Sequence, residues 1–231
     1  MDRINVLGRV LDNRKAILPY KTVLTGRYVI LEPLNAEKHY RSLYENYLDT
    51  PHLMDYMKEP PLTTLEDYRQ RTINKENNPA YCFYVIIKVE SPDDYIGLYA
   101  LFNFDLEGRK VEAGVLYSSK LQRSIASSEA LYLFSNFVFE DLGYIKVTTR
   151  SMVQNKKVDS MLKRAGYSFV GLVPDDMMIG EYSVDLNHYA MRDIDWPIVK
   201  KAYEEWLHPD NFDAEGKQKK PLRVNLEKLN A

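Results

Sequence analysis

Cysteine is nearly absent from this chain. A single residue, Cys82, can close no intrachain disulfide and cannot build a cysteine-based zinc site. Glycine (10) and proline (11) are too sparse for a collagenous or linker-rich chain. The longest apolar run, Tyr81 to Ile87, falls far short of the ~20 residues of a membrane-crossing helix. Neither sign of charge is in excess: Lys plus Arg number 31 against 33 for Asp plus Glu, a net charge of -2. Such a balance offers no electrostatic footprint for duplex nucleic acid or for an anionic membrane surface. His39, His52, His188 and His208 are far apart and show no metal-ligand spacing. Asn211-Phe212-Asp213-Ala214-Glu215-Gly216 opens like a calcium loop, but Leu222 stands where the closing Glu belongs, so no metal is expected. The first residues, Met1 to Leu7, have no signal-peptide core, and no lipidation signal appears, so the expected compartment is the cytosol. No GxGxxG, Walker loop or nucleophile elbow is present.

What is present is an ordinary globular composition. Of 231 residues, 45% are apolar and 28% charged, enough for a full core in one domain with extensions. Residues 1–26 read as an extended arm. Tyr28–Leu34 is a strand ended near Pro33, and Asn35 caps a helix to about Leu48 with Tyr40, Leu43, Tyr44 and Tyr47 on one stripe. A second helix spans roughly 64–75. The period then changes to that of an antiparallel meander: Tyr81–Val89, Tyr95–Phe104 and Lys110–Tyr117, with 90–94 and 106–109 as connections. A polar loop, Leu121–Ser128, leads into a helix to about Leu142, with Ala130, Leu131, Phe134, Phe137 and Val138 inward and Gly143 at its end. Ile145–Ser151 is a strand. Asn155 caps a helix with the stripe Val158, Met161, Leu162 and Ala165, stopped by Gly166. Tyr167–Val173 and Asp185–Arg192 are strands, and 195–207 is the last helix. The fold class is therefore α/β: a mixed sheet of about seven strands with helices on both faces.

One loop stands out. Lys120 to Ser128 delivers a strand into a helix N-terminus, where unpaired N–H groups and the positive end of the dipole suit a pyrophosphate. Ser124, Ser127 and Ser128 add hydroxyls and Arg123 a guanidinium. An ordinary serine-capped helix start reads the same way. Gly114, inside a strand, marks either a close approach by ligand or a packing need.

Glu112-Ala113-Gly114, Gln122-Arg123-Ser124-Ile125-Ala126-Ser127-Ser128-Glu129-Ala130, Phe139-Glu140-Asp141-Leu142-Gly143-Tyr144, Asn155 and Lys163-Arg164-Ala165-Gly166-Tyr167-Ser168-Phe169-Val170-Gly171 follow one another in a distinctive order. In these residues the sequence resembles the GCN5-related N-acetyltransferase superfamily, in its RimJ/RimL-like branch. The resemblance covers about 25–192. The tail, Trp206-Leu207 with Asn211-Phe212-Asp213, is similar to a subgroup frequent in fungi.

The resemblance implies the acyl-CoA N-acyltransferase fold, with an arm at 1–26, the acetyltransferase domain at 27–192, and a helix and polar tail at 193–231 packed on it. It implies acetyl-CoA as co-substrate, its pyrophosphate on Gln122, Arg123, Ser124, Ile125, Ala126, Ser127 and Ser128. The pantetheine is then expected between the 110–117 and 145–151 strands, on backbone groups of Val115, Leu116 and Tyr117. Asn155, at the position of the family's asparagine, is expected at the reaction centre and at the cofactor. Lys156 and Lys157, in a helix first turn, either meet a CoA phosphate or are simply solvated. Departures are visible: Arg123 and Ile125 replace common glycines, Val158 a frequent serine, and Leu162 the tyrosine that serves many members as general acid.

Glu112 is the candidate general base, since an amine of pKa near 10 must lose a proton before attack. The alternative is a carboxylate pairing with Lys110 or Arg109. Lys110, Glu112, Gly114 and Leu116 share one strand face. Tyr40, Tyr44 and Tyr84, with Tyr47 and Tyr81, line an acceptor groove or are plain core. The favoured function is acetyl transfer to a primary amine in a ternary complex. A CoA-binding or partner-binding module without turnover, and transfer of a longer acyl group, are the alternatives. Protein N-termini, polyamines, amino sugars and antibiotics all remain open as acceptors, as does oligomeric state, with a homodimer among the options.

Overall fold

The computed structural model describes residues 9–57 and 60–226. Eight strands form one sheet in the order β1-β2-β3-β4-β5-β6-β8-β7. They are β1 (Leu24–Thr25), β2 (Val29–Pro33), β3 (Tyr81–Lys88), β4 (Ser91–Asp105), β5 (Lys110–Tyr117), β6 (Lys146–Met152), β7 (Ser168–Ile179) and β8 (Tyr182–Arg192). The eighth strand, unforeseen in the sequence, is β1. It pairs only Leu24 with Leu31 and Thr25 with Ile30, too short to show an alternation. Segments 90–94 and 174–184, expected as connections, belong largely to strands. Their proline, aspartate and glycine sit in bulges and a tight hairpin: register shifts fall between Ile87 and Lys88 and between Val173 and Met177. Asp175 (φ 54°) and Gly180 (φ 58°) take the left-handed conformations that these turns require.

Helices α1 (Ala36–Leu48) and α2 (Leu65–Glu76) cover one face of the sheet. Helices α3 (Ile125–Asn136, continued by a π turn over Phe137–Asp141), α4 (Lys156–Arg164) and α5 (Trp196–Leu207) cover the other. The larger core lies on the α3 side, with Tyr84, Tyr99, Leu101, Val111, Phe134, Phe137, Val147, Leu162, Tyr189 and Tyr203. A smaller core under α1 and α2 contains Leu34, Leu43, Tyr47, Tyr68, Val85 and Leu98.

Periodicity located α3 correctly: Ala130, Leu131, Phe134, Phe137 and Val138 are all buried. On α1 the buried stripe is Ala36, His39, Leu43, Asn46 and Tyr47, rotated from the tyrosine stripe that the apolar pattern suggested. Two of its members are polar and hydrogen-bonded, although the Asn46 Oδ1 accepts from no group among the described residues. His39 Nδ1 accepts from the Asn35 amide at 3.1 Å and Nε2 meets Glu32. Asn46 Nδ2 donates to the Tyr95 carbonyl at 3.1 Å and to Asp94 at 2.7 Å. Burial, outweighing the Glu32 bond, holds His39 below the ordinary imidazole value, so it packs as a neutral ring.

Helix α3 is positioned by a buried carboxylate. Glu129 accepts from the backbone amides of Arg27 (2.8 Å), Tyr28 (2.6 Å) and Val29 (2.9 Å) at the β1–β2 turn. A Cβ on Gly26 would stand 2.5 Å from the Glu129 carboxyl carbon, so the turn needs glycine at that point. The N-terminal arm is pinned further back. Arg109, nearly buried, donates to Asp12 at 2.7 Å and to the Gly143 carbonyl at 3.0 Å. Hydrogen bonds from Arg109 and Arg14 hold the Asp12 carboxyl down at about 2.

Removing the Glu129 carboxylate strands those amide donors in a dry site. Glu129→Ala is expected to cost about 3 kcal/mol of stability, and Gly26→Ala to be destabilising through the same contact. Urea unfolding of both variants checks this; a loss under about 1 kcal/mol for Glu129→Ala removes that carboxylate as the anchor of α3.

Candidate active site

Among the described residues strands β5 and β6 are the only parallel neighbours in the sheet, and they pair only briefly. Lys110 faces Lys146, Val111 faces Val147 and Glu112 faces Thr148; there the ladder stops. Each strand is held by its outer neighbour instead. β5 stays paired to β4 as far as Gly97–Tyr117, and β6 to β8 as far as Met152–Leu186. The sheet therefore opens into a wedge. The edge of Ala113–Tyr117 that faces it has no partner strand among the described residues, and backbone polar groups of that kind require a ligand or water. Val115 is 37% exposed at this opening, although it lies on the core-facing side of β5.

The loop after β5 ends at one lip of the wedge. Leu121, fully buried, anchors it, and Leu121 and Gln122 both donate backbone N–H to the Ser118 carbonyl. Arg123 then takes φ 58°, the left-handed conformation for which glycine is the usual residue. The chain departs from the family glycine in composition while keeping a glycine-like backbone. Ser124 caps α3: its Oγ accepts from the Ser127 amide at 3.1 Å and donates to the Leu121 carbonyl at 2.6 Å. Ser127 Oγ is turned back to the Ser124 carbonyl at 2.7 Å. The helix begins at Ile125, so Ala126, Ser127 and Ser128 form its first turn and are not loop. The amides of Arg123, Ile125 and Ala126 donate to no group among the described residues. Gln122 and Arg123 are exposed, and Arg123 makes no ion pair among the described residues. Free amides, a helix dipole and an unpaired guanidinium together fit a diphosphate.

Tyr117 fastens this loop to the strand. Its hydroxyl bonds that of Tyr99 and donates to the Ser127 carbonyl at 3.3 Å. Burial pushes both phenols far above their ordinary range, so they act as neutral hydrogen-bonding groups. Across the wedge, Asn155 caps α4 through its Oδ1, 3.3 Å from the Val158 amide, and Lys156 and Lys157 are exposed in the first turn. Leu162 is buried and offers no hydroxyl.

The opposite face of the wedge carries the charges. Glu112 Oε1 accepts from Arg150 Nε at 2.6 Å and Oε2 from Asn103 Nδ2 at 2.9 Å. Arg150 Nη1 continues to Asp176 Oδ2 at 3.3 Å, and that oxygen lies 2.7 Å from His188 Nε2. The expected partners Lys110 and Arg109 do not pair with Glu112; Lys110 lies 3.9 Å from Asp105 and Arg109 holds Asp12. Beside Glu112, Tyr81 stacks on Phe83 (5.5 Å) and Phe102 (5.2 Å), and Tyr81 is 40% exposed.

The tyrosines divide. Tyr84 is a correction: it is wholly buried on the α3 side, edge-on to Phe134 and Phe137, with its hydroxyl on the Tyr20 carbonyl at 3.1 Å. Tyr81 and Tyr84 stand an odd number of residues apart on β3, so they cannot share a face. Tyr44 lies in a ring cluster with Tyr47 and Tyr68, its hydroxyl on the Thr63 carbonyl at 3.0 Å. Tyr40 is half-buried beneath the guanidinium groups of Arg41 and Arg69. Asn103, Arg150 and Asp176 are not singled out by the sequence, and His188 stands out there only as one of four histidines without metal spacing. Arg150 and His188 meet only through strand register, and Asp176 lies in a bulge that reads as a turn.

The acetyltransferase (GNAT) domain model matches residues 29–168. The chain therefore belongs to the GNAT family and is an N-acetyltransferase of that class. Solved structures agree with this. A GCN5-related N-acetyltransferase from Brucella melitensis superposes with TM-score 0.86 at 29% identity, over 92% of this chain and 97% of that one. An acetyltransferase of the GNAT family from Chromobacterium violaceum gives TM-score 0.76 at 21% identity, over 82% and 96%. A RimL ribosomal L7/L12 alpha-N-protein acetyltransferase gives 0.64 at 13%, over 77% and 99%, which is a likeness of fold alone. A search of curated proteins found no match.

A left-handed arginine is tolerable and a β-branched residue there is not. Arg123→Gly is expected to stay within about 1 kcal/mol of the parent, while Arg123→Val loses more than about 1 kcal/mol. Urea midpoints for the pair check the loop conformation; equal stabilities contradict it.

Proposed function

We propose that the chain transfers the acetyl group of acetyl-CoA to a primary amine, by direct attack in a ternary complex, as a RimJ/RimL-like member of its family. The reading is carried by the wedge between β5 and β6, whose unpaired edge at Ala113–Tyr117 opens beside the free amides at the start of α3. Gln122 to Ser128 then hold the diphosphate. Val115, Leu116 and Tyr117 offer backbone groups to the pantetheine and the thioester carbonyl. Asn155, Lys156 and Lys157 form the far lip. Holding both substrates in line removes any need for a covalent enzyme intermediate.

The acceptor approaches the face that carries Glu112. The groups nearest the wedge on that face, Glu112, Arg150, Asp176 and His188, are charged or polar, and their carboxylates attract an ammonium. Both Glu112 oxygens already accept hydrogen bonds, one from Arg150 and one from Asn103. Glu112 in this reading draws and orients the amine. The aromatic shelf of Tyr81, Phe83 and Phe102 gives the rest of the acceptor a flat apolar surface. A chain with one cysteine is suited to a cytosolic setting.

Thiol release on mixing acetyl-CoA with a panel of short peptides, diamines and polyamines tests the reading. Glu112→Gln is expected to lower turnover by roughly tenfold or more while acetyl-CoA affinity, measured by calorimetry, stays unchanged. Binding of acetyl-CoA with no thiol release from any amine supports the CoA-binding module instead, and the substituted loop residues Arg123 and Ile125 are then its signature.

A further inference from the structure

The amine must shed a proton before it attacks, and both Glu112 oxygens are already engaged by Arg150 and Asn103. The next group along the chain of contacts is His188. It stands on β8 directly opposite Arg150 of β6, so both side chains point to the acceptor face. His188 is 30% exposed, and neither α1 nor α2, which cover β2 to β4, reaches it. Its Nε2 is 2.7 Å from Asp176 Oδ2. A hydrogen bond from His188, working against burial and helped by Arg150, holds the Asp176 carboxyl below the usual carboxylate range. An ionised carboxylate only accepts, so Nε2–H is the donor. That leaves Nδ1 as the ring nitrogen open to a proton, and no group among the described residues bonds it. The charged groups around the ring are Asp176 from β7 and Arg150 from β6, with Glu112 of β5 beyond Arg150.

We propose that His188 Nδ1 is the general base of the transfer, oriented by Asp176 as a positioning residue; this rests on the acetyl-transfer reading above. Strand β8 lies one strand spacing, ~4.8 Å, beyond β6. In the proposal the amine at the wedge mouth reaches the imidazole through a water that passes the Arg150 side chain on β6. The ammonium gives one proton to Nδ1. The freed nitrogen lone pair forms the bond to the thioester carbonyl carbon, and the carbon–sulfur pair leaves with the CoA sulfur. The second proton lost by that nitrogen goes to the thiolate, and His188 returns its own to solvent. Amide, thiol and one released proton balance an ammonium and a thioester. Arg150 meanwhile keeps Glu112 and Asp176 apart as two anions that share one cation.

The test uses the full chain with acetyl-CoA and whichever amine of the panel the parent acetylates. His188→Gln is expected to lower kcat about 100-fold or more with an unchanged acetyl-CoA Kd. The parent's rate should level off at alkaline pH, whereas the variant's continues to climb toward the amine's own ionisation near about 10. Asp176→Asn, which leaves the ring in place, is expected to lower kcat about tenfold and displace the profile. His188→Asn repeats the measurement should glutamine disturb β8. Turnover of either histidine variant within twofold of the parent, or a pH profile that coincides with it, overturns the base and leaves the acetyl-transfer reading standing. A parent that binds acetyl-CoA but releases no thiol overturns the reading itself and the base with it.

Discussion

The molecule depends on one interrupted hydrogen-bond ladder. Two parallel strands meet at Lys110–Glu112 and Lys146–Thr148 and then follow different neighbours. An all-antiparallel meander on one side and the β6-β8-β7 group on the other pull the sheet apart without breaking it. The exposed backbone that results is costly unless something polar occupies it, and this turns a structural defect into a recognition surface. The start of α3 lies where that surface ends. Its position is set by Glu129 on the β1–β2 turn and by Tyr117 reaching the Ser127 carbonyl, so the cradle is tied directly to the strand edge.

The two faces of the wedge are chemically distinct. On the α3 side lie free amides, serine hydroxyls and cationic side chains suited to phosphates. On the other, a carboxylate, a guanidinium, a second carboxylate and an imidazole follow one another from β5 to β8. In the proposed reaction an anionic coenzyme and a cationic acceptor come in from opposite sides and meet at the gap in the sheet. The Arg150–Glu112 pair lies beside that gap and fixes the side chains on its acceptor face.

Much of this was readable from residue order. The stripe on α3, the Asn35 and Asn155 caps and the strand faces of β5 all follow from local periodicity and side-chain chemistry. The rotated face of α1 did not, because His39 and Asn46 are polar and drop out of an apolar pattern even when buried. Strands β7 and β8 were cut short since Pro174, Asp175 and Gly180 signal turns, and a bulge uses the same residues as a loop. Register lies further from reach: no local feature tells that His188 faces Arg150, or that Arg150 reaches back to Glu112. The Arg123 loop shows the reverse case, in which an unpromising composition conceals a backbone with the left-handed turn that glycine normally supplies.

Amide hydrogen exchange with and without saturating acetyl-CoA tests the wedge most directly. Slowed exchange is expected in peptides covering Ala113–Tyr117 and Arg123–Ala126, with β2 and β3 unchanged. Protection confined to other segments, or none at millimolar acetyl-CoA, contradicts a coenzyme seated between the parted strands.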